Sequence, residues 1–501
     1  MTTFTYEKIQ ALESVTRLFF ALNEAGVRYC HWKSNVRLDE ALNGRTDLDL
    51  LVDPLDGPLF RQILRKHQVK PLLAAPGKHY PGIENHLGYD AASGKLFHLH
   101  VHYQLVLGEQ YVKNYHLPIE KEVIASVCLP QGVLVPSPAM ELVILCLRAL
   151  LKYRDRDVVK DIFAIRSPGL PAHIRQEIEW LRQRTTPEQI SETVTQLNIV
   201  SEEIVFAFLQ AVQAETRDGW QMLWLRSQVR RALRPYQRHP RLWASILYFR
   251  ELWRQRQSSP RRKMTLCAGG RTLALIGADG AGKSTMCRLI TDWLSWKLDV
   301  QLYYLGSKQP SRRSELLYLL FRALRRGQRT VAGWLGQDSL PSRWLVQLRR
   351  IARYTHHLSI GRDRLRRYRE SRVAAKTAVI IYDRYPLAAL LDGPKIYPRD
   401  ISHANGHANR VGRIFAAAEQ GIYRQISPPR HYLLLNVSPA VSLQRKPDHD
   451  PTAVTAKAQF LNKFAAEMEG EDEKVNLLTI NADLPFAEVE HQLKTAVWQV
   501  L

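Results

Sequence analysis

The stretch LIGADGAGKSTM, residues 275–286, holds Gly277, Gly282, Lys283 and Ser284 at the spacing G-x-x-x-x-G-K-(S/T). Glycines at such positions let successive backbone N–H groups turn towards phosphate oxygens, and the following helix adds its positive end. Gly277, Asp279, Gly280, Ala281, Gly282, Lys283, Ser284 and Thr285 are therefore the expected nucleotide-binding set. A lysine there can reach β- and γ-phosphates and a hydroxyl can take one Mg²⁺ position, so ATP and Mg²⁺ are the expected cofactors. Binding alone does not separate a kinase from a motor or a switch. AVIIYDRYP adds Asp383 and Arg384 at the C-terminal end of an apolar run, where ligands of open α/β sheets collect. HYLLLNVSPAVSLQRK reads as a strand and a short helix ending in Arg445 and Lys446. Such an arginine can close over a transferring phosphoryl group and stabilise its equatorial oxygens.

A second constellation lies far upstream, in YCHWKSNVRLDEALNGRTDLDLLVD. Side chains two apart on a strand share a face, so Asp47 and Asp49 point the same way. Paired carboxylates of this kind can bind divalent ions that activate a hydroxyl and steady a leaving pyrophosphate. The stretch resembles the nucleotidyltransferase fold. By that resemblance Asp47 and Asp49 are metal ligands, and Ser34 with Lys33 stands in the loop that meets a triphosphate. An active member wants a third carboxylate on a neighbouring strand, and His100 of FHLHVHYQLVLG takes that position, between His98 and His102 on one face. Imidazole serves Mg²⁺ less well than carboxylate does. Binding of a nucleotide or sugar without transfer, and an active transferase, both stay open.

The elements that must position these residues follow from periodicity. TLALIG, VQLYYLG, TAVIIYDR, HYLLLNV and VNLLTIN are apolar strands separated by helical segments over 271–501, which predicts a parallel sheet covered on both faces. Residues 1–135 mix helix and strand patterns, 136–257 read as nearly all helical, and QSSPRRKMTLCAGGR has linker composition. The expected architecture is α/β: a nucleotidyltransferase-like domain at 1–135, a helical domain at 136–257, a linker at 258–270 and a P-loop domain at 271–501. A length of 501 residues exceeds one ordinary core, and 45% hydrophobic with 24% charged residues is a globular composition. No apolar run reaches the roughly 18 residues of a membrane span, and the N-terminus lacks the basic start and apolar stretch of a secretory signal. Five cysteines without paired or metal-like spacing fit a reducing cytoplasm.

GADGAGKST, DRY and the strand–Pro–helix–Arg stretch resemble the thymidylate kinase family of nucleoside monophosphate kinases over most of 271–501. That resemblance implies that Lys283 and Ser284 hold ATP and Mg²⁺ and that Asp279 faces the acceptor. It also implies that Asp383 binds the metal or assists the acceptor, that Arg384 touches the acceptor's phosphate, and that Arg445 begins the lid. Arg362, with Arg364 as an alternative, falls where the family places an arginine on the helix before the DRY strand. The sequence departs from the family where the acceptor is chosen: an Arg-Glu-Pro loop is expected, and YYLGSKQPSRRS stands there, followed by a long insertion. The acceptor is thus a nucleoside monophosphate or another phosphate-bearing small molecule. The formal charge of +23 is concentrated, with 24 basic and 7 acidic residues in 261–372. That excess fits a site handling several phosphates, solvated helix faces, or an anionic membrane surface docked through 308–372, where SELLYLLFRALRRGQR is basic and amphipathic. Nucleic acid is disfavoured, because no recognisable binding motif accompanies the charge. An ATP-binding regulatory protein docking through this segment, and a bifunctional kinase and nucleotidyltransferase, are the rival readings; the oligomeric state is left open.

Overall fold

In a computed structural model the chain is a mixed α/β protein of two compact units, Met1–Cys267 and Ala268–Leu501. The structure describes residues 11–75, 77–109, 111–153, 170–213, 219–257, 263–306, 308–386, 410–448, 450–469 and 476–501. Among them no helix is long and apolar enough to cross a membrane. All five cysteines are unpaired.

The first unit is built on β1 (Tyr29–His31), β2 (Leu48–Val52), β3 (Lys70–Leu73), β4 (Ile83–Asp90) and β5 (Lys95–His102). Two short ladders follow, β6 (Leu105–Leu107) with β7 (Tyr115–Leu117) and β8 (Val127–Cys128) with β9 (Val135–Pro136). β10 (Thr265–Leu266) completes a six-stranded sheet in the order β1-β2-β5-β4-β3-β10, antiparallel except for β2 against β5. The parallel β2–β5 register sets Asp49 opposite His100. The helix Glu13–Glu24 presents Val15, Leu18, Phe19 and Leu22, a helical stripe, to the core beneath the sheet.

The helix Pro138–Lys152 has proline at its first turn and its N-terminus capped by the Ser137 hydroxyl. From Ala139 to Leu151 every residue except Arg148 is buried, Glu141 included, as suits a largely apolar helix inside a core. The helices Ala172–Arg182, Pro187–Leu197, Glu202–Gln213 and Gly219–Ala232 surround it, and Arg241–Gln257 ends the helical run. Their core also takes in Cys30, Trp32 and Leu51. The helices of 136–257 and the strands of 1–135 thus share one interior and one compact unit. Within the expected linker 258–270, residues 258–262 lie outside the described residues, and Thr265 and Leu266 are β10.

The second unit holds β11 (Arg271–Gly277), β12 (Val300–Tyr304), β13 (Val379–Asp383), β14 (His431–Asn436) and β15 (Asn476–Asn481). All pair in parallel, in the order β12-β13-β11-β14-β15. Counted within the unit, the strand order is 2-3-1-4-5, so the loop after β11 sits at the centre of the C-terminal edge of the sheet. The insertion between β12 and β13 is a pair of packed helices, Arg312–Leu335 and Leu340–Ala374.

Candidate functional site

β11 is buried from Leu273 to Gly277 and delivers the chain into the loop 278–282. Gly280 has φ 85, and a Cβ there would meet the Ser442 carbonyl oxygen at 3.0 Å. Glycine is required both for the left-handed turn and for the close approach. The helix Lys283–Leu294 begins directly afterwards, with Gly282 left-handed at its N-cap. Lys283 is buried and donates from Nζ to the Ala278 carbonyl at 2.7 Å. Burial pushes its ammonium down to about 8, against the opposing pull of Asp279.

Ser284 and Asp383 come from positions 99 residues apart and meet, Oγ donating to Oδ2 at 2.8 Å. β13 lies next to β11, so the residue that ends it arrives beside the first turn of the helix. Asp383 is buried, and its Oδ1 has no hydrogen-bond partner. A hydroxyl and an orphaned buried carboxylate oxygen in this position fit the hard-oxygen needs of Mg²⁺. Arg384 follows in the left-handed region at φ 60, a conformation costly for a side chain of its size and typical of functional sites. Its guanidinium lies 6.0 Å from the Tyr304 ring, and its charge is felt by both Asp279 and Lys283.

Asp279 is tied to Lys457, on the helix Pro451–Glu469, by an ion pair. Burial works against its ionisation, but the Lys457 hydrogen bond and charge, with Lys283 and Arg384, hold the carboxyl down at about 2. The Asp279 carbonyl accepts a hydrogen bond from the buried Ser442 hydroxyl at 2.5 Å. Arg445, exposed at the end of the helix Pro439–Arg445, reaches the Gly280 carbonyl at 3.5 Å. Lys283, Ser284, Asp279, Asp383, Arg384 and Arg445 thus share one edge of the sheet. Thr285 is exposed beside them.

Arg362 is exposed and makes no contact at this edge among the described residues. Arg364 is buried and donates to the Tyr423 hydroxyl. The arginine of this helix that reaches the edge is Arg367, which donates to the carbonyl of Tyr304, at the end of β12, at 3.0 Å and to that of Gln309. Asp363 accepts from the Ser311 amide at 2.9 Å and from the Ser314 hydroxyl at 2.7 Å, pinning the same loop. Sequence reasoning missed Arg367, Ser442 and Lys457, because none belongs to a local motif.

In the first unit Asp49 meets Lys33 Nζ at 2.7 Å and His100 Nδ1 at 2.8 Å, both on one carboxylate oxygen. His102 lies 3.2 Å from His100, and ligand atoms of Asp49, His100 and His102 fall within 4.8 Å of one another. The three-histidine strand converges in part because β2 runs alongside and supplies the acid. Asp47 does not join this group; its carboxylate lies 3.0 Å from His98 Nδ1. Burial raises the cost of charging Asp49, yet Lys33 and His100 hold its carboxyl well below the usual range. Burial lowers His102 far below the ordinary imidazole value.

Ser34 sits in a left-handed turn at φ 59, and its amide donates to Glu177 at 3.1 Å. The next amide, of Asn35, donates to Glu141 at 2.9 Å. The loop expected to meet a triphosphate is thus closed by carboxylates from two helices. Positive charge stands around Asp49 instead. Lys33 and Arg148 both lie over Trp32, at 5.0 and 5.2 Å from its ring centre. Lys113 and Lys152 each feel the charges of Lys33, Arg148 and Asp49. Asp47 and Asp49 thus have different partners, His98 for one and Lys33 with His100 for the other, and Lys113 and Lys152 feel the charge of Asp49. The charge Arg148 inside the apolar run LVILCLRALL, with Lys152 one turn on, was the sequence signal for this cluster.

No family model matches the chain, and no curated protein matches it.

Proposed function

We propose that the second unit is an ATP-dependent kinase of thymidylate kinase type, passing the γ-phosphate to a phosphate-bearing small molecule. The observation that carries this reading is the Ser284–Asp383 pair, a phosphate-loop hydroxyl and a buried acid with one oxygen unsatisfied, with Arg384 strained beside it. The strand order 2-3-1-4-5 supports it by putting both loops side by side. Held by Ser284 and Asp383, Mg²⁺ would neutralise charge on the β- and γ-oxygens. Lys283 exchanges its carbonyl partner for phosphate oxygens, and the loop amides orient the chain of phosphates. Arg384 binds the acceptor's phosphate, and Arg445 folds over the group in transit; a planar fork suits both tasks. Arg367 and Asp363 hold the acceptor loop in place.

The acceptor class is read by ADP release from the whole chain, with ATP and Mg²⁺, against a panel of nucleoside monophosphates and phosphorylated sugars. At least one should raise ADP release far above the ATP-only rate. If none does, the kinase reading is wrong and a regulatory ATP-binding protein takes its place. For the first unit, binding without nucleotidyl transfer is the reading favoured by the partners of Asp47 and Asp49.

A further inference from the structure

A divalent-ion site needs free carboxylate oxygens in a neighbourhood that welcomes positive charge, and the surroundings of Asp49 are the reverse. Four basic side chains from three parts of the first unit stand there with Asp49, while the nearby Glu141 and Glu177 are taken up by the Asn35 and Ser34 amides. Lys33 follows β1, Lys113 lies between β6 and β7, and Arg148 and Lys152 are one turn apart on the helix Pro138–Lys152. Asp49 satisfies Lys33 only. Among the described residues Lys113 has no carboxylate partner and contacts the Tyr80 ring at 4.3 Å, Lys152 has none, and Arg148 Nη1 is buried without a hydrogen bond. Arg148 interrupts a buried stretch of that helix, so a guanidinium nitrogen buried there without a hydrogen bond is costly unless something completes it.

We propose that Lys33, Lys113, Arg148 and Lys152 bind a ligand carrying a pyrophosphate or comparable compact polyanion directly, with no divalent ion between protein and ligand. A guanidinium and an ammonium over one ring, with further ammonium groups that feel the same charges, suit a dense cluster of phosphate oxygens better than the carboxylates already there. Lys113 supports this: burial, then Lys33, Lys152 and Arg148 push its ammonium down to about 7, and a bound polyanion would reverse that pressure. His100 and His102 can add hydrogen bonds from neutral rings. Asp49 is then a holder of Lys33 and a mild deterrent to the anion, rather than a metal ligand.

The inference deepens the binding reading of the first unit and does not depend on phosphoryl transfer in the second. It is tested by calorimetric titration of the full chain with inorganic pyrophosphate in EDTA, in a Lys283→Ala background that weakens the phosphate loop's own response. Binding should persist without metal and weaken about tenfold or more in Lys152→Met, while Lys152→Arg retains it. Asp49→Asn should bind pyrophosphate more tightly, a gain that misfolding cannot imitate. Pyrophosphate binding that requires Mg²⁺ or Mn²⁺ and vanishes in Asp49→Asn would overturn the proposal, as would no metal-free binding at all. Failure of the kinase reading appears separately, as absent acceptor-dependent ADP release from the wild-type chain.

Discussion

Lys283 is half-charged near pH 8 in the ligand-free protein, because burial works against its ammonium. Phosphate oxygens favour the charged form, so ATP binding raises this pKa and takes up a proton from solution. At pH 8 the uptake should approach about half a proton per ATP, read by calorimetry in two buffers of different ionisation enthalpy. Lys283→Met should abolish that uptake; an uptake unchanged in the variant would mean that another group meets the phosphates. The sign also fixes stability: with the folded pKa depressed, the unfolded chain binds more protons between about pH 8 and 10.4, and this group's contribution rises with pH there. At this scale the sequence was informative wherever chemistry is local. Gly280, Gly282, Lys283 and Ser284 are legible because one turn of backbone imposes their spacing. Asp383 was legible as the last residue of an apolar strand, although its meeting with Ser284 depends on β13 lying next to β11.

The helices after β14 act as a clamp on the phosphate loop. Ser442 holds the Asp279 carbonyl and Lys457 holds its carboxylate, so two helices fix a loop 163 and 178 residues earlier in the chain. Such separations leave no trace in spacing, which is why Lys457 was invisible, whereas Arg445 was read from its own strand and short helix. A similar limit applies to the helix arginine: counting selected Arg362, which is exposed, while Arg367 of the same helix bonds the end of β12. Lys457→Met should cost about 1–2 kcal/mol at pH 7, the range for a partly buried hydrogen-bonded ion pair. Asp279 is held at about 2, below its unfolded value near 3.9, so the pair's contribution is present above pH 4 and fades as pH falls towards 2. Denaturant unfolding at several pH values should show the wild-type advantage shrinking over that interval. A deficit that ignores pH would assign the cost to lost packing instead.

Across the whole molecule, charge and exposed aromatic surface coincide on the inserted helix pair. Trp334 and Trp344, exposed by 86% and 69%, flank the connection between the two helices, with Leu335 and Leu340 beside them. Arg329 and Arg343 are exposed nearby. An apolar tip with arginines beside it, one of them paired with the exposed Asp338, suits an anionic bilayer surface, where indole rings lodge at the headgroup level. Sedimentation with vesicles containing anionic lipid should carry the wild type down, and salt should release it. Trp334→Ser with Trp344→Ser should weaken this about tenfold or more; equal binding of the double variant, or equal binding to neutral vesicles, would remove membrane docking as a role for the segment. Fold class was readable throughout from the period of apolar residues, whereas the union of strands and helices in the first unit was not, since shared cores such as that of Trp32 with Leu145 leave no composition break. β10 carries that union to its end. Among the described residues, Leu72 and Leu73 of β3 find their outer partners in Thr265 and Leu266, the last strand of the first unit to be synthesised. Until the ribosome has released them, β3 offers open backbone groups to any neighbouring chain. A fragment cut at residue 257, where the sequence invites the cut, would keep that adhesive margin for good and be prone to stick to its own copies.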